Sequence, residues 1–278
     1  MILSNLHTHC WYCDGRAPMD DFVKFAKSKG LSSYGISSHA PLPFLTRWTM
    51  KEDDYDSYRH DFLRLKELYA DDIQLYMALE VDYISNYSCV KNKFFQDKPF
   101  DYLVGSVHYV DKIPDGKFWN IFGTLEVFQE GLDAIFGGNI RAAVERYFEC
   151  EKEMALIGGI DFIGHSDKIS SRAKRYAGFD RKAAWFTNAY GDMLQCVKAQ
   201  GIKIEINTKN LESSGLTSPQ QDLYPLIREV GVPVVVNSDA HLPYNVDSGL
   251  RQAHQLLKNA GIKSINVFYD NKWQETEI

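Results

Sequence analysis

The chain has 278 residues, 45% of them hydrophobic and 24% charged, and carries a net charge of −6. That length fits one large domain (residues 1–278), because a barrel of alternating strands and helices needs about 250 residues, and the acidic balance without a basic run argues against nucleic-acid binding. No leader pattern and no apolar run of about 18 residues appears, and the five cysteines are scattered, so the expectation is a reduced, cytoplasmic chain without a membrane span, with homo-oligomerisation left open.

Strand-like and helix-like segments alternate along the chain. Ile2 to Leu6 reads as a strand, and Pro18 to Lys29 as a helix with Phe22, Phe25 and Ala26 on one face and Gly30 ending it. SYGISSHA is a second strand, followed by a helix over 53–70 with Tyr58, Phe62, Leu65 and Tyr69 at helical spacing. IQLYMALEVDYI and DYLVGSVHYV are the third and fourth strands, and 124–157 is mostly helical. DFIGHSD is strand five, and 181–200 is a helix with Trp185, Ala189, Asp192, Met193 and Val197 along one side. KIEINT, the helix PQQDLYPLIREVG, the strand VPVVVNSDAH and a helix over 246–260 complete the alternation, with SINVFY as a candidate final strand. Such alternation predicts parallel strands joined by crossover helices, and seven or eight units predict a closed or distorted barrel.

Six of the eight histidines (His7, His9, His39, His108, His165 and His241) fall at the C-terminal ends of predicted strands, where barrel enzymes build their sites. Asp14, Glu80 and Asp239 fall at the same kind of position. A lone histidine is ordinarily a hydrogen-bonded core residue, but six on one rim call for a common cause. Residues i and i+2 of a strand face one side, so His7 with His9, and Asp239 with His241, can each grip an ion, and the two oxygens of Glu80 can bridge two. Imidazoles mixed with carboxylates suit Zn, Mn or Fe, and nine such residues exceed one ion and could fill two or three sites.

The ordered set LHTH, DG, SSH, ALEVDY, GSVHYVD, DFIGHSD, IEINT and NSDAH resembles the PHP (polymerase and histidinol phosphatase) family over nearly the whole chain. GSVHYVD, GHSD and IEINT are most similar to its monofunctional histidinol-phosphate phosphatases. The resemblance implies a distorted (β/α)7 TIM-like barrel with three metals at the C-terminal face of the strands. It would give the first metal His7, His9, Glu80 and Asp239. The second would share Glu80 and take His108 and His165. The third would take Asp14, His39 and His241. It further implies hydrolysis of a small phosphate monoester, L-histidinol phosphate in histidine biosynthesis, by attack of a hydroxide held between two metals.

Phosphate also attracts cations. Lys168, Arg172, Lys174, Arg175 and Lys209 lie on predicted loops, with Arg172 the first choice for its planar fork and Lys209 the second. Asp167 is a candidate proton donor to the leaving group, or a partner orienting a ligand histidine. The phosphatase branch tends to carry an arginine shortly after the INT segment. This chain has INTKNLESSG, with Leu211–Glu212 at that point. Trp11, Tyr12, Trp48, Tyr109, Phe118 and Trp119 are candidates to shape a pocket for an imidazole, and 42–50 is a candidate lid. The CWYC pair, Cys10 and Cys13, reads as packing or as a loop thiol near the metals. Two alternatives stay open: a PHP phosphatase for a nucleotide, sugar phosphate or phosphotyrosine, and a non-catalytic metal-binding domain.

Overall fold

A computed structural model describes residues 2–278. Seven parallel strands form a ring: β1 (Ser4–Asn5), β2 (Ser33–Ile36), β3 (Gln74–Asp82), β4 (Tyr102–Ser106), β7 (Phe162–Ile163), β8 (Lys203–Asn207) and β9 (Val234–Asn237), adjacent in that order. Between β4 and β7 an antiparallel hairpin, β5 (Tyr109–Lys112) and β6 (Phe118–Asn120), rises beside the strand ends. The main outer helices are α1 (Met19–Ser28), α2 (Tyr55–Leu68), α4 (Leu125–Phe136), α5 (Ile140–Ile157), α7 (Ala184–Ala199), α9 (Tyr224–Val230) and α10 (Leu250–Asn259), and the single turns α3 (Lys93–Gln96), α6 (Ser170–Ala173) and α8 (Leu211–Ser214) punctuate the loops.

The ring closes between β1 and β9, but not by a regular ladder. A parallel bridge joins Thr8 to Ala240, and His9 N donates to Ala240 O at 2.9 Å. Below it, side-chain amides replace the backbone pairing. Asn237 Oδ1 accepts from Leu6 N at 2.7 Å, and Asn5 Oδ1 accepts from Ser238 N at 3.1 Å. The regular ladder of β1 is with β2 alone, at Ser4 and Asn5, so β1 is two residues long and not the five predicted.

The period-two pattern of β3 explains how the strands build both core and site. Tyr76 and Ala78 point inward and join Leu6, Tyr102, Val104, Phe162 and Val235 in the barrel interior. The next inward positions are Glu80 and Asp82, both buried. Leu75, Met77, Leu79 and Val81 pack outward beneath the helices. Climbing the strand therefore leads from an apolar floor to a carboxylate mouth.

Three segments differ from the sequence reading. SINVFY is a strand, β10 (Ser264–Tyr269), but it pairs antiparallel with β11 (Lys272–Glu277) and not with the ring. The hairpin plugs the N-terminal end of the barrel: Phe268 packs against the interior cluster with Trp273, whose Nε1 donates to Asp161 Oδ1 at 2.7 Å. The helical stretch 124–157 splits into α4 and α5 because Gly137 and Gly138 adopt φ of +57° and +80°. In α7 Met193 and Val197 are buried as predicted, but the rest of the stripe runs through Phe186, Tyr190 and Leu194 and not Trp185, Ala189 and Asp192, and Trp185 lies at its margin against Phe179. No helix among the described residues is long and apolar enough to cross a membrane.

Candidate metal centre

Each of the nine candidate residues stands at or beyond the C-terminal end of a ring strand, or in the case of Glu80 near the top of one. Two sit where the backbone turns out of its strand with positive φ, His165 at +34° and Asp239 at +49°. Such conformations are uncommon for non-glycine residues and cluster at functional sites.

The nitrogens and oxygens converge. His7 Nε2 lies 3.2 Å from Glu80 Oε2, and His9 Nε2 lies 3.5 Å from the same oxygen and 3.2 Å from Asp239 Oδ1. On the other side of Glu80, Oε1 is 3.1 Å from His165 Nε2 and 3.7 Å from His108 Nε2. At the rim, Asp14 Oδ1 is 3.2 Å from His241 Nε2 and 3.7 Å from His39 Nε2. The groups whose ligand atoms lie mutually close are His7–His9–Asp239, His39–Glu80–His108 and His9–Asp14–His39–His241. His9 and His39 thus each stand between clusters, where the partition implied by the resemblance assigns each to one metal.

A chemical test supports a cation here. Among the described residues, His7 Nε2, His9 Nε2, His39 Nδ1, Glu80 Oε2 and Asp14 Oδ1 are buried with no hydrogen-bond partner. Leaving that many buried polar atoms unpaired would cost on the order of 1–3 kcal/mol each, and a divalent ion satisfies them together. The opposite nitrogens of His7 and His108 are engaged. His7 Nδ1 lies 2.7 Å from Glu205 Oε1 and His108 Nδ1 lies 2.8 Å from Asp82 Oδ1, the arrangement that orients a ligand imidazole.

The electrostatics agree. Burial would push the His7 imidazole down, but Glu205, Glu80 and Asp239 override it and raise its proton affinity well above the ordinary value. His108 is raised in the same way, against its burial, by Asp82 and Glu80. Burial alone would raise the Glu80 carboxyl, but the surrounding histidines hold it well below the usual range. Burial would likewise raise Asp239, and Lys209, His7 and His9 outweigh it. A field that favours protons on His7 and His108 and keeps carboxylates ionised is one that favours a metal cation, while burial first, with repulsion between neighbouring histidines, pushes His9 and His165 down toward the neutral form that a ligand needs.

The cluster floors a cavity of about 250 Å³ whose other walls are Trp48, Asn120, Phe122, Lys168 and Lys209. Trp48 stands edge-on to His39 and His108, with centroids at 4.6 and 5.3 Å, and Phe122 edge-on to His108 at 4.9 Å. Of the other aromatic candidates, Tyr109 stacks behind Trp48, Trp119 is buried in the core, Phe118 packs on Phe44, Tyr12 donates to Asp61 and Trp11 faces solvent.

The phosphate and acid candidates divide. Lys209 enters the cavity, its Nζ 3.1 Å from both Asp239 Oδ1 and His241 Nδ1. Lys168 also lines it, and burial, with repulsion from Lys209, pushes its ammonium below the ordinary range. Arg172 does not reach it: its Nη2 donates to Gly123 O at 2.8 Å and so anchors the loop that carries Phe122. Asp167 points away as well. It accepts from Arg181 Nη1 at 2.9 Å, from Gln220 N at 3.1 Å and from the Ser218 hydroxyl, and it does not line the cavity. Leu211 is buried and Glu212 accepts from Gly249 N, so the position that departs from the phosphatase branch also faces elsewhere.

Sequence reasoning passed over Glu205 and Asp82. The signal was present: a carboxylate at every second position of a buried strand (Glu80, Asp82) or between two isoleucines (Ile204, Ile206) must find a partner inside.

The family model described as the PHP domain matches residues 5–209. A Schizosaccharomyces pombe protein named "Probable histidinol-phosphatase" is 27% identical, over 99% of this chain and 96% of that one. A Deinococcus radiodurans protein of the same name is 26% identical, over 98% and 97%. Among solved structures, histidinol phosphate phosphatase from Lactococcus lactis, crystallised with Zn, L-histidinol and phosphate, superposes with a TM-score of 0.76 at 18% identity, over 98% of this chain and 99% of that one. At that identity the likeness shows the fold.

Proposed function

We propose, from the premise that this chain belongs to the PHP domain family, that it is a metal-dependent phosphomonoesterase that hydrolyses L-histidinol phosphate to L-histidinol and phosphate. The observation that carries the reading is the convergence of unpartnered buried nitrogens and oxygens on one cavity that also holds two ammonium groups and an aromatic wall. The residues that would hold two to three divalent ions (Zn, Mn or Fe) are His7, His9, Asp14, His39, Glu80, His108, His165, Asp239 and His241. Bound there, such ions supply Lewis acidity and a water that ionises near neutral pH.

The chain's own groups do the rest. Lys168 and Lys209 offset charge on the phosphate oxygens, in place of the arginine expected after the INT segment. Each offers an ammonium to phosphate without the bidentate fork of arginine. Trp48 and Phe122 present flat apolar faces to the imidazole of the leaving alcohol, and they narrow the cavity so that water is displaced when the ring enters. Glu205 and Asp82 keep His7 and His108 in the tautomer whose Nε2 lone pair faces the ions.

The test is kcat/KM for L-histidinol phosphate against AMP, a sugar phosphate and phosphotyrosine, with metal content read on the same preparation. The expected result is a preference of about 100-fold, or about 2.7 kcal/mol of transition-state discrimination. Lys168→Ala and Lys209→Ala should each lower kcat/KM by about 10- to 100-fold. A metal-loaded enzyme that prefers another ester overturns the substrate; one that cleaves none of them overturns the activity.

A further inference from the structure

The CWYC motif lies within the metal-ligand segment, and the chemistry described so far leaves it unused. We propose that Cys13 is a positioning residue of the metal centre: its sulfur accepts the Nδ1 proton of His9 and so fixes that imidazole with its Nε2 lone pair toward the ions. The proposal rests on reading His9 as a ligand.

The geometry closes on itself. His9 is fully buried, and its Nε2, which has no hydrogen-bond partner, sits 3.2 Å from Asp239 Oδ1 and 3.5 Å from Glu80 Oε2. Its Nδ1 sits 3.5 Å from Cys13 Sγ. The same sulfur donates to Cys10 O at 3.4 Å. With the thiol hydrogen placed on that carbonyl, sulfur lone pairs face the imidazole and Nδ1 is the donor. The relay runs one way: Nδ1–H to sulfur, S–H to carbonyl. The other tautomer would break the Cys10 contact and turn an N–H toward the ion position.

The turn that carries Cys13 is held in register. Cys13 N donates to Cys10 O at 3.0 Å, and Trp11 N to Ala17 O at 3.0 Å. Gly15 lies so close to His9 and Cys10 that a Cβ there would meet their backbone atoms at 2.4 Å. The backbone that carries the sulfur therefore cannot shift without moving the ligand's own backbone.

His9 differs in this from its neighbours. Carboxylates at 2.7 and 2.8 Å hold the Nδ1 atoms of His7 and His108, whereas a neutral thiol, a weak acceptor, holds that of His9. A cation held through His9 would accordingly exchange before one held through His7 or His108.

The experiment loads the wild-type protein, Cys13→Ala and Cys13→Ser with cobalt(II). It reads affinity by chelator competition and ligand geometry from the visible cobalt bands, without substrate. Alanine should weaken the most exchangeable cobalt by about tenfold and shift its band, and serine, which can accept and donate in the same sense, should recover part of both. Wild-type affinity and spectrum in Cys13→Ala would overturn the proposal, as would a serine variant no better than alanine. A wild-type protein that binds cobalt but does not cleave histidinol phosphate would sink the functional reading and leave this one standing.

Discussion

Glu205 accepts four hydrogen bonds with two oxygens: from His7 Nδ1 and Asn237 Nδ2 at Oε1, and from His165 N and Asn207 Nδ2 at Oε2. It has no capacity left for a donor of its own. Glu205→Gln places an NH₂ where at least one of these donors points, so the His7 imidazole loses its orientation while the fold persists. Metal affinity should fall by about 10- to 100-fold with unchanged secondary structure; an isothermal titration showing wild-type affinity would remove Glu205 from the centre. At this scale the sequence was legible where chemistry repeats. HTH, SDAH and the paired GSVH and GHSD histidines announce themselves by type and by position after a strand. Residues whose role depends on an uninformative neighbour were not legible: whether Arg172 or Lys168 meets the cavity is decided by a backbone carbonyl, Gly123 O, that no residue type encodes.

At the scale of elements, the alternation of strands and helices could be read because side chains alternate between the outer core and the barrel interior along β3 and β8, and burial puts a helical stripe on α1 and α5. What could not be read was pairing. SINVFY has the composition of a ring strand, and it leaves the ring because Lys272–Glu277 offers a hairpin partner and the barrel floor needs a plug. The stripe of α10 includes His254, which is buried beside Leu250, Ala253 and Leu257. Burial, then Arg251 and Lys258, push its imidazole down to about 4 from an ordinary 6.5. The folded state therefore binds the proton less well than the unfolded chain. The neutral side chain's stability is fully present above pH 6.5 and is lost as pH falls from 6.5 toward 4. Urea unfolding of wild type and His254→Leu should show wild type losing about 2 kcal/mol relative to the variant between about pH 7.5 and about pH 4.5. An equal gap at both pH values would mean that His254 stays solvated.

For the whole molecule, the ring and the metal centre are one construction. Stripping the ions with a chelator leaves Glu80, Asp239 and the facing histidines buried without their common partner. At ion concentrations about 100-fold above Kd, each site emptied removes about 2.7 kcal/mol, and Tm should fall by about 5–10 °C per site. A chelated protein with no bound metal and an unchanged Tm would show that the centre is stable as an empty shell. The seam between β1 and β9 adds a matter of timing. His7 and His9 stand on one side of it and Asp239 and His241 on the other, more than 200 residues later. A chain growing from its N-terminus holds seven of the nine ligand candidates by residue 165, yet the pair that completes both the inner cluster and the rim arrives only with residues 239 and 241. Completion of the candidate site thus waits for residues 239 and 241, and a chain truncated before that point would offer an ion an open bracelet without its clasp.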